Sequence, residues 1–117
     1  MFAKHTDDGY VAMVPGVAMK TLCHGSRTLL TEFRLAQGET LPTHTHPHEQ
    51  TGYLVSGRIV LTIGDERFEV EPGDGWCIPG DVEHGALILA DSVAVEVFSP
   101  VRDDYLPSDG GASTADA

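Results

Sequence analysis

GETLPTHTHPHEQTGYLVSG, from Gly38 to Gly57, is the stretch whose reading decides the fold. His44 and His46 stand two apart, so both rings leave the same face if the segment is extended. Neutral imidazole is the commonest protein ligand for metal ions, and two on one face bring two ring nitrogens together. Gln50 comes four residues after His46 and, past a bend at Pro47, can return an amide oxygen to the same centre. Much later the segment IPGDVEH delivers His84 behind a Pro-Gly-Asp turn. Three histidines and one oxygen donor suit one divalent transition metal ion, with Zn, Ni, Mn and Fe all compatible. His48 and Glu49 are the alternatives to Gln50. His48 shares the parity of His44 and His46, but Pro47 turns the chain there, so a place at the rim fits it better.

Outward from this stretch the chain reads as strands. VAMKTLC fits one, after an apolar run that starts at Val11 and breaks at Pro15 and Gly16. His24 then reads as a surface or turn residue beside Gly25 and Ser26, and His5 as solvated in a polar lead-in. In RTLLTEFRLA, Leu29, Thr31, Phe33 and Leu35 share one face while Glu32 and Arg34 take the other. GYLVSG and RIVLTI read as two short strands hinged at Ser56 and Gly57, with a tight turn at Gly64 and Asp65 leading into RFEVEPGD. GWCIPGDVEHGALIL and ADSVAVEVFSP complete the series. Short strands of about five to eight residues, punctuated by Gly, Pro and Asp, predict an all-β sandwich or barrel with little helix. The end of the chain, PSDGGASTADA, is small and polar. Residues 107–117 are therefore expected to be a tail on a single domain over 1–106.

A chain of 117 residues with 41% hydrophobic content is one domain able to bury its own core. Its formal net charge of −11 argues against nucleic acid and anionic membrane surfaces as partners. The same field repels an anionic ligand at long range, so a metal ion or an arginine must draw one in locally. Cys23 and Cys77 lie far apart without a CxxC pair, and both are expected to be buried free thiols. Trp76 and Tyr53 read as core or interface residues. The opening MFAKHTDDGY lacks the apolar segment of a signal peptide, and no apolar run reaches membrane-spanning length. A cytoplasmic protein is the expectation.

The two histidine segments together resemble the paired motifs of small single-domain cupins. Gly38, His44, His46, Gln50 and Gly57 fall at the offsets of the first motif, with Gln50 where that family carries Glu. Gly73, Pro79 and His84 fall at those of the second, with Asp81 in place of a glycine and Ile88 in place of an asparagine. The resemblance spans roughly residues 17–106. It implies a conical double-stranded β-helix, the jelly-roll cupin barrel, with the metal inside and His44, His46, Gln50 and His84 as ligands. It also implies a homodimer. An amide at position 50 leaves the ion's charge uncancelled, which lowers metal affinity and raises attraction for an anion.

In ADSVAVEVFSPVRDDYL, Glu96 and Phe98 share one face of the last strand, opposite Val93, Val95 and Val97. The pattern alone leaves open which face looks inward and slightly favours Glu96 in solvent. HTHPHEQ together with VFSPVRDDYL resembles the pectin-degradation cupins of the KdgF type, which turn cyclic 4,5-unsaturated uronates into open-chain keto forms. That resemblance implies Glu96 and Arg102 as catalytic residues, and Phe98 and Arg102 as substrate-binding residues. Here Glu96 stands where that family carries Asp. The expected partner is a small anionic sugar or another small molecule. Two other readings remain: a cupin that binds a small anion or sugar without turnover, and an Fe-dependent dioxygenase, which Gln50 disfavours.

Overall fold

The structure, a computed structural model, describes residues 1–106. The expected tail, 107–117, lies outside the described residues. Eight strands follow one another: β1 (Val11–Val14), β2 (Val17–His24), β3 (Leu29–Leu35), β4 (Thr40–His44), β5 (Glu49–Ile63), β6 (Glu66–Val70), β7 (Gly75–Ile78) and β8 (His84–Ser99). A 3₁₀ turn over Asp103–Tyr105 is the only helical element among the described residues. Every pairing is antiparallel, in the order β1-β2-β3-β8-β5-β6, with β4 also on β8 and β7 also on β5. This is the all-β architecture anticipated from the strand pattern, in the jelly-roll form that the cupin resemblance implies.

The long antiparallel pair β5 and β8 is the spine, and it corrects one expectation. Two short strands hinged at Ser56 and Gly57 are in fact one strand of 15 residues, and β8 runs for 16. The sequence break at Gly57 is real but local. The register of β5 against β8 shifts between Leu54 and Ser56 and again around Arg58. Gly57 sits there at φ +95°, and a Cβ on it would overlap the Ser92 side chain. A bulge of this kind bends and twists a strand without ending it.

Alternation places the core. On β3, Leu29, Thr31, Phe33 and Leu35 point inward as expected, while Arg34 is exposed. On β8 the inward set is Ala94, Glu96 and Phe98, with Val93, Val95 and Val97 half-buried on the outer face. Leu29, Leu54, Ile78, Ile88 and Phe98 are almost wholly buried. Full burial of such side chains contributes roughly 1.5–3 kcal/mol each. One prediction about cysteine fails: both thiols are free, but Cys77 is exposed and Cys23 only half-buried. β7 is four residues long, and Cys77 lies on its outer face between the inward Trp76 and Ile78.

Candidate metal centre

Three elements bring the histidines together. His44 ends β4 and pairs directly with His84, the first residue of β8. The close approach needs Gly85, because a Cβ there would stand 2.9 Å from the Leu41 carbonyl oxygen. His46 follows on the loop between β4 and β5. The Pro79–Asp81 turn locks onto that loop, with the Asp81 N–H donating to the His46 carbonyl at 2.8 Å. Asp81 has φ +66°, which explains why a glycine suits this position; Asp is among the few other residues that tolerate it.

One ring nitrogen from each of His44, His46 and His84 lies within 4.8 Å of the other two. In each ring Nδ1 faces a backbone carbonyl two residues away: Pro42 at 2.8 Å, His48 at 3.0 Å and Val82 at 2.9 Å. A carbonyl only accepts, so each Nδ1 carries the proton and each Nε2 presents its lone pair. His84 Nε2 is buried without any partner. His46 Nε2 faces Gln50 Oε1 at 2.9 Å, two acceptors with no hydrogen between them. Protonating the His46 and His84 rings is disfavoured, because burial pushes His84 down to about 4 and, ahead of the Arg102 charge, also lowers His46.

A cation resolves both anomalies. Neighbouring ligands at right angles around an ion with bonds of about 2.1 Å stand about 3 Å apart, which matches the His46–Gln50 spacing. The donor set therefore fits a divalent metal held by His44, His46, His84 and Gln50. His48 contributes its backbone carbonyl to the His46 ring and lies outside the cluster. Glu49 points to the outer face, where its carboxylate accepts from Cys77 Sγ at 3.3 Å.

Beside the histidines lies a cavity of about 310 Å³, lined by His44, Gln50, Glu96, Phe98, Arg102 and Tyr105, with an apolar wall including Met13, Val14, Phe33 and Leu41. Glu96 is only 8% exposed; the outward reading suggested by the bare pattern is wrong. The apolar neighbours of Glu96 occupy the outer face because that face is itself half-covered. Glu96 Oε1 accepts from Gln50 Nε2 and, at 3.3 Å, from Trp76 Nε1. Burial pushes its carboxyl up to about 7, against the pull of those two hydrogen bonds. Phe98 is buried with its ring 5.7 Å from that of His46.

Arg102 leaves the strand after Pro100 and folds back over the opening. Its guanidinium lies 3.9 Å from the Tyr105 ring centroid and 5.2 Å from that of Phe98. Its fork donates to Asp104, Nε at 3.2 Å and Nη2 at 2.7 Å, and that hydrogen bonding holds the Asp104 carboxyl below its ordinary range. A larger open groove of about 750 Å³ lies by the β1–β2 hairpin and the middle of β8; it shares Met13, Val14 and Val17 with the cavity wall but contains none of the histidines, nor Gln50, Glu96, Phe98 or Arg102.

Sequence reading missed Trp76, Asp104, Tyr105 and the β1 residues Met13 and Val14. A signal for Trp76 existed. Gly52 lies two residues past Gln50, hence on the same inner face, and a glycine inside a strand marks a close approach.

The arrangement has relatives. No curated protein matches the chain significantly. The structure of KdgF from a Halomonas species is 30% identical with a TM-score of 0.85, covering 91% of this chain and 98% of that one. An RmlC-like cupin from Shewanella frigidimarina is 22% identical with a TM-score of 0.84, over 89% and 94% of the two chains. A predicted oxalate decarboxylase from Thermotoga maritima is 15% identical with a TM-score of 0.75, over 86% and 100%; these last two likenesses bear on the fold alone. The cupin domain family matches residues 31–99, the segment that holds both histidine motifs and the β5–β8 spine. With that match over a jelly roll whose histidines converge, the chain belongs to the cupin family.

Proposed function

We propose that the chain is a metal-dependent isomerase that opens and ketonises a cyclic 4,5-unsaturated uronate. The observation that carries this reading is the sharing of one cavity by His44 and Gln50 at the edge of the histidine cluster, an inward carboxylate, an aromatic face and a single arginine. A cavity of about 310 Å³ is at the small end of ligand pockets, a size for one sugar acid rather than an oligosaccharide. The likeness to KdgF supports the same class.

The reaction adds and removes no atoms. The C1 hydroxyl loses its proton, the C1–O5 bond breaks to leave an aldehyde and an enol, and C4 takes a proton as C5 becomes the ketone. A divalent ion at His44, His46, His84 and Gln50 supplies Lewis-acid polarisation of substrate oxygens. Arg102 pairs with the substrate carboxylate in a fork geometry, and its stack on Tyr105 holds the guanidinium at the opening. Phe98 and the apolar wall pack on the ring and exclude water. Glu96 Oε1 is committed to Gln50 and Trp76, whereas its second oxygen has no hydrogen-bond partner among the described residues. That second oxygen carries the proton to and from the sugar.

The test follows the ultraviolet absorbance of the conjugated double bond, which disappears on ketonisation. Metal-loaded protein should accelerate its loss over the spontaneous rate, and Glu96→Gln should remove most of the acceleration. Loaded protein that binds the uronate without any acceleration would show a binding module instead.

A further inference from the structure

We infer that Glu96 and Trp76 clamp the Gln50 amide with its oxygen toward the histidines, and that Glu96 returns, one hydrogen bond away, the negative charge position 50 lacks. The inference rests on metal binding at the histidine cluster, which the reading above also uses, and is independent of the substrate.

The two ends of an amide are nearly the same shape, so packing alone leaves Gln50 free to present either oxygen or NH₂ to the cluster. Only the oxygen is a ligand. Chemistry at the other end decides it. Glu96 Oε1 is an acceptor held by Trp76 Nε1, a group that can only donate. The same oxygen takes the Gln50 NH₂, which leaves Gln50 Oε1 facing His46 Nε2.

The backbone is built to allow this. Gly52 on β5 pairs with Trp76 on β7 and with Glu96 on β8, so the three lie in one row across the sheet. The next row on the same face holds Ile78, Gln50 and Phe98. A Cβ on Gly52 would overlap the Trp76 indole. The glycine is therefore the gap through which the indole reaches the carboxylate. A carboxylate bonded to the amide NH₂ polarises the amide and places more negative charge on the ligating oxygen. Partners of this kind, one bond removed from the ion, typically change metal affinity 10- to 100-fold.

The experiment titrates EDTA-stripped protein with Ni²⁺ by calorimetry and records the visible spectrum of the Co²⁺ form, which reads coordination directly. Trp76→Phe and Gly52→Ala should each weaken Ni²⁺ binding about 10-fold and shift the Co²⁺ bands, and Glu96→Gln should weaken binding about 10- to 100-fold. The exchange variant, Gln50→Glu with Glu96→Gln, should recover wild-type affinity or better, because the charge then sits on the ligand itself. Melting curves establish that each variant is folded, and Trp76→Phe carries the test should Gly52→Ala fail to fold. Wild-type affinity and an unchanged Co²⁺ spectrum in both Trp76→Phe and Glu96→Gln would overturn the clamp. An exchange variant no better than Glu96→Gln would overturn the charge argument. A His84→Ala variant that binds Ni²⁺ as tightly as wild type overturns the metal reading itself, a distinct outcome.

Discussion

Two buried groups in this site titrate in opposite senses, and the metal-free protein should show it. His84 is 3% exposed and is pushed by burial from its ordinary 6.5 to about 4. Between those values the unfolded chain takes a proton that the folded chain refuses, so acidification destabilises. From pH 7 to pH 5 the loss is about 2 kcal/mol, at about 1.4 kcal/mol per unit. His44, His46 and Arg102 face His84 and push in the same direction. Glu96 is raised by burial from 4.5 to about 7, so the folded chain takes the proton first and acidification stabilises. Over the same interval that gain is also about 2 kcal/mol. The two nearly cancel, leaving a small acid loss from His46, which burial also lowers.

Single substitutions uncouple them. In EDTA, urea unfolding at pH 7 and pH 5 should show little change for wild type. Glu96→Gln should lose about 2 kcal/mol on acidification, and His84→Asn should gain a similar amount. If both variants keep the wild-type slope, the carboxyl and the imidazole are not titrating as their burial requires. Bound metal should reverse the balance, because ligated histidines cannot take protons and a nearby cation keeps Glu96 ionised. Loaded protein should therefore be less stable at pH 5 than at pH 7.

Metal binding alone should stabilise the fold: at an ion concentration 100-fold above Kd the gain is about 2.7 kcal/mol, or roughly 10 °C in melting temperature for a chain of this size. His84→Ala should abolish that shift. Arg102→Ala should raise KM for an unsaturated uronate by roughly 10- to 100-fold, from the loss of charge-assisted hydrogen bonds of about 1.5–3 kcal/mol, with Ni²⁺ affinity unchanged by calorimetry. Asp104→Asn should free part of the Arg102 fork; because Asp104 is more than half exposed, KM should fall by no more than about 5-fold, the scale of an exposed ion pair. A rise in KM would show that Asp104 orients the arginine rather than competing for it.

Much of this was legible because period and spacing speak directly to geometry. The alternation of β3, the break at Pro15 and Gly16 and the convergence of His44, His46 and His84 follow from parity and turn residues. What was illegible depended on other strands. Glu96 looked solvent-facing because Val93, Val95 and Val97 seemed the better core; the outer face they occupy is half-covered, and only pairing with β3 and β5 shows which side is in. Ser56 and Gly57 read as a hinge because local sequence cannot distinguish a bulge from a strand end. Trp76 was hidden because its hydrogen bond reaches from β7 across β5 to Glu96 on β8. Asp104 and Tyr105 were hidden because they act on Arg102 through a turn formed only after β8 ends.

The charges around the cavity bear on how an acidic protein would receive the anionic sugar proposed for it. The overall charge of −11 is screened beyond about 8 Å at physiological ionic strength, so the local set decides. In the metal-free site Arg102 is the only cation among the residues lining the cavity; it is engaged by Asp104 and shares that cavity with Glu96. Asp104 offsets that one positive charge, and Glu96, raised by burial to about 7, adds negative charge as it ionises, so the set offers an anion little. A divalent ion among neutral histidines and a neutral amide inverts that sum, since no ligand cancels its charge directly. Gln50 would thus leave the ion attractive to an anionic ligand, while Glu96, behind the amide, would hold Gln50 in place and, in the proposed reaction, stand within reach of the sugar. An acid at position 50 would bind the ion more firmly and weaken its hold on the anion.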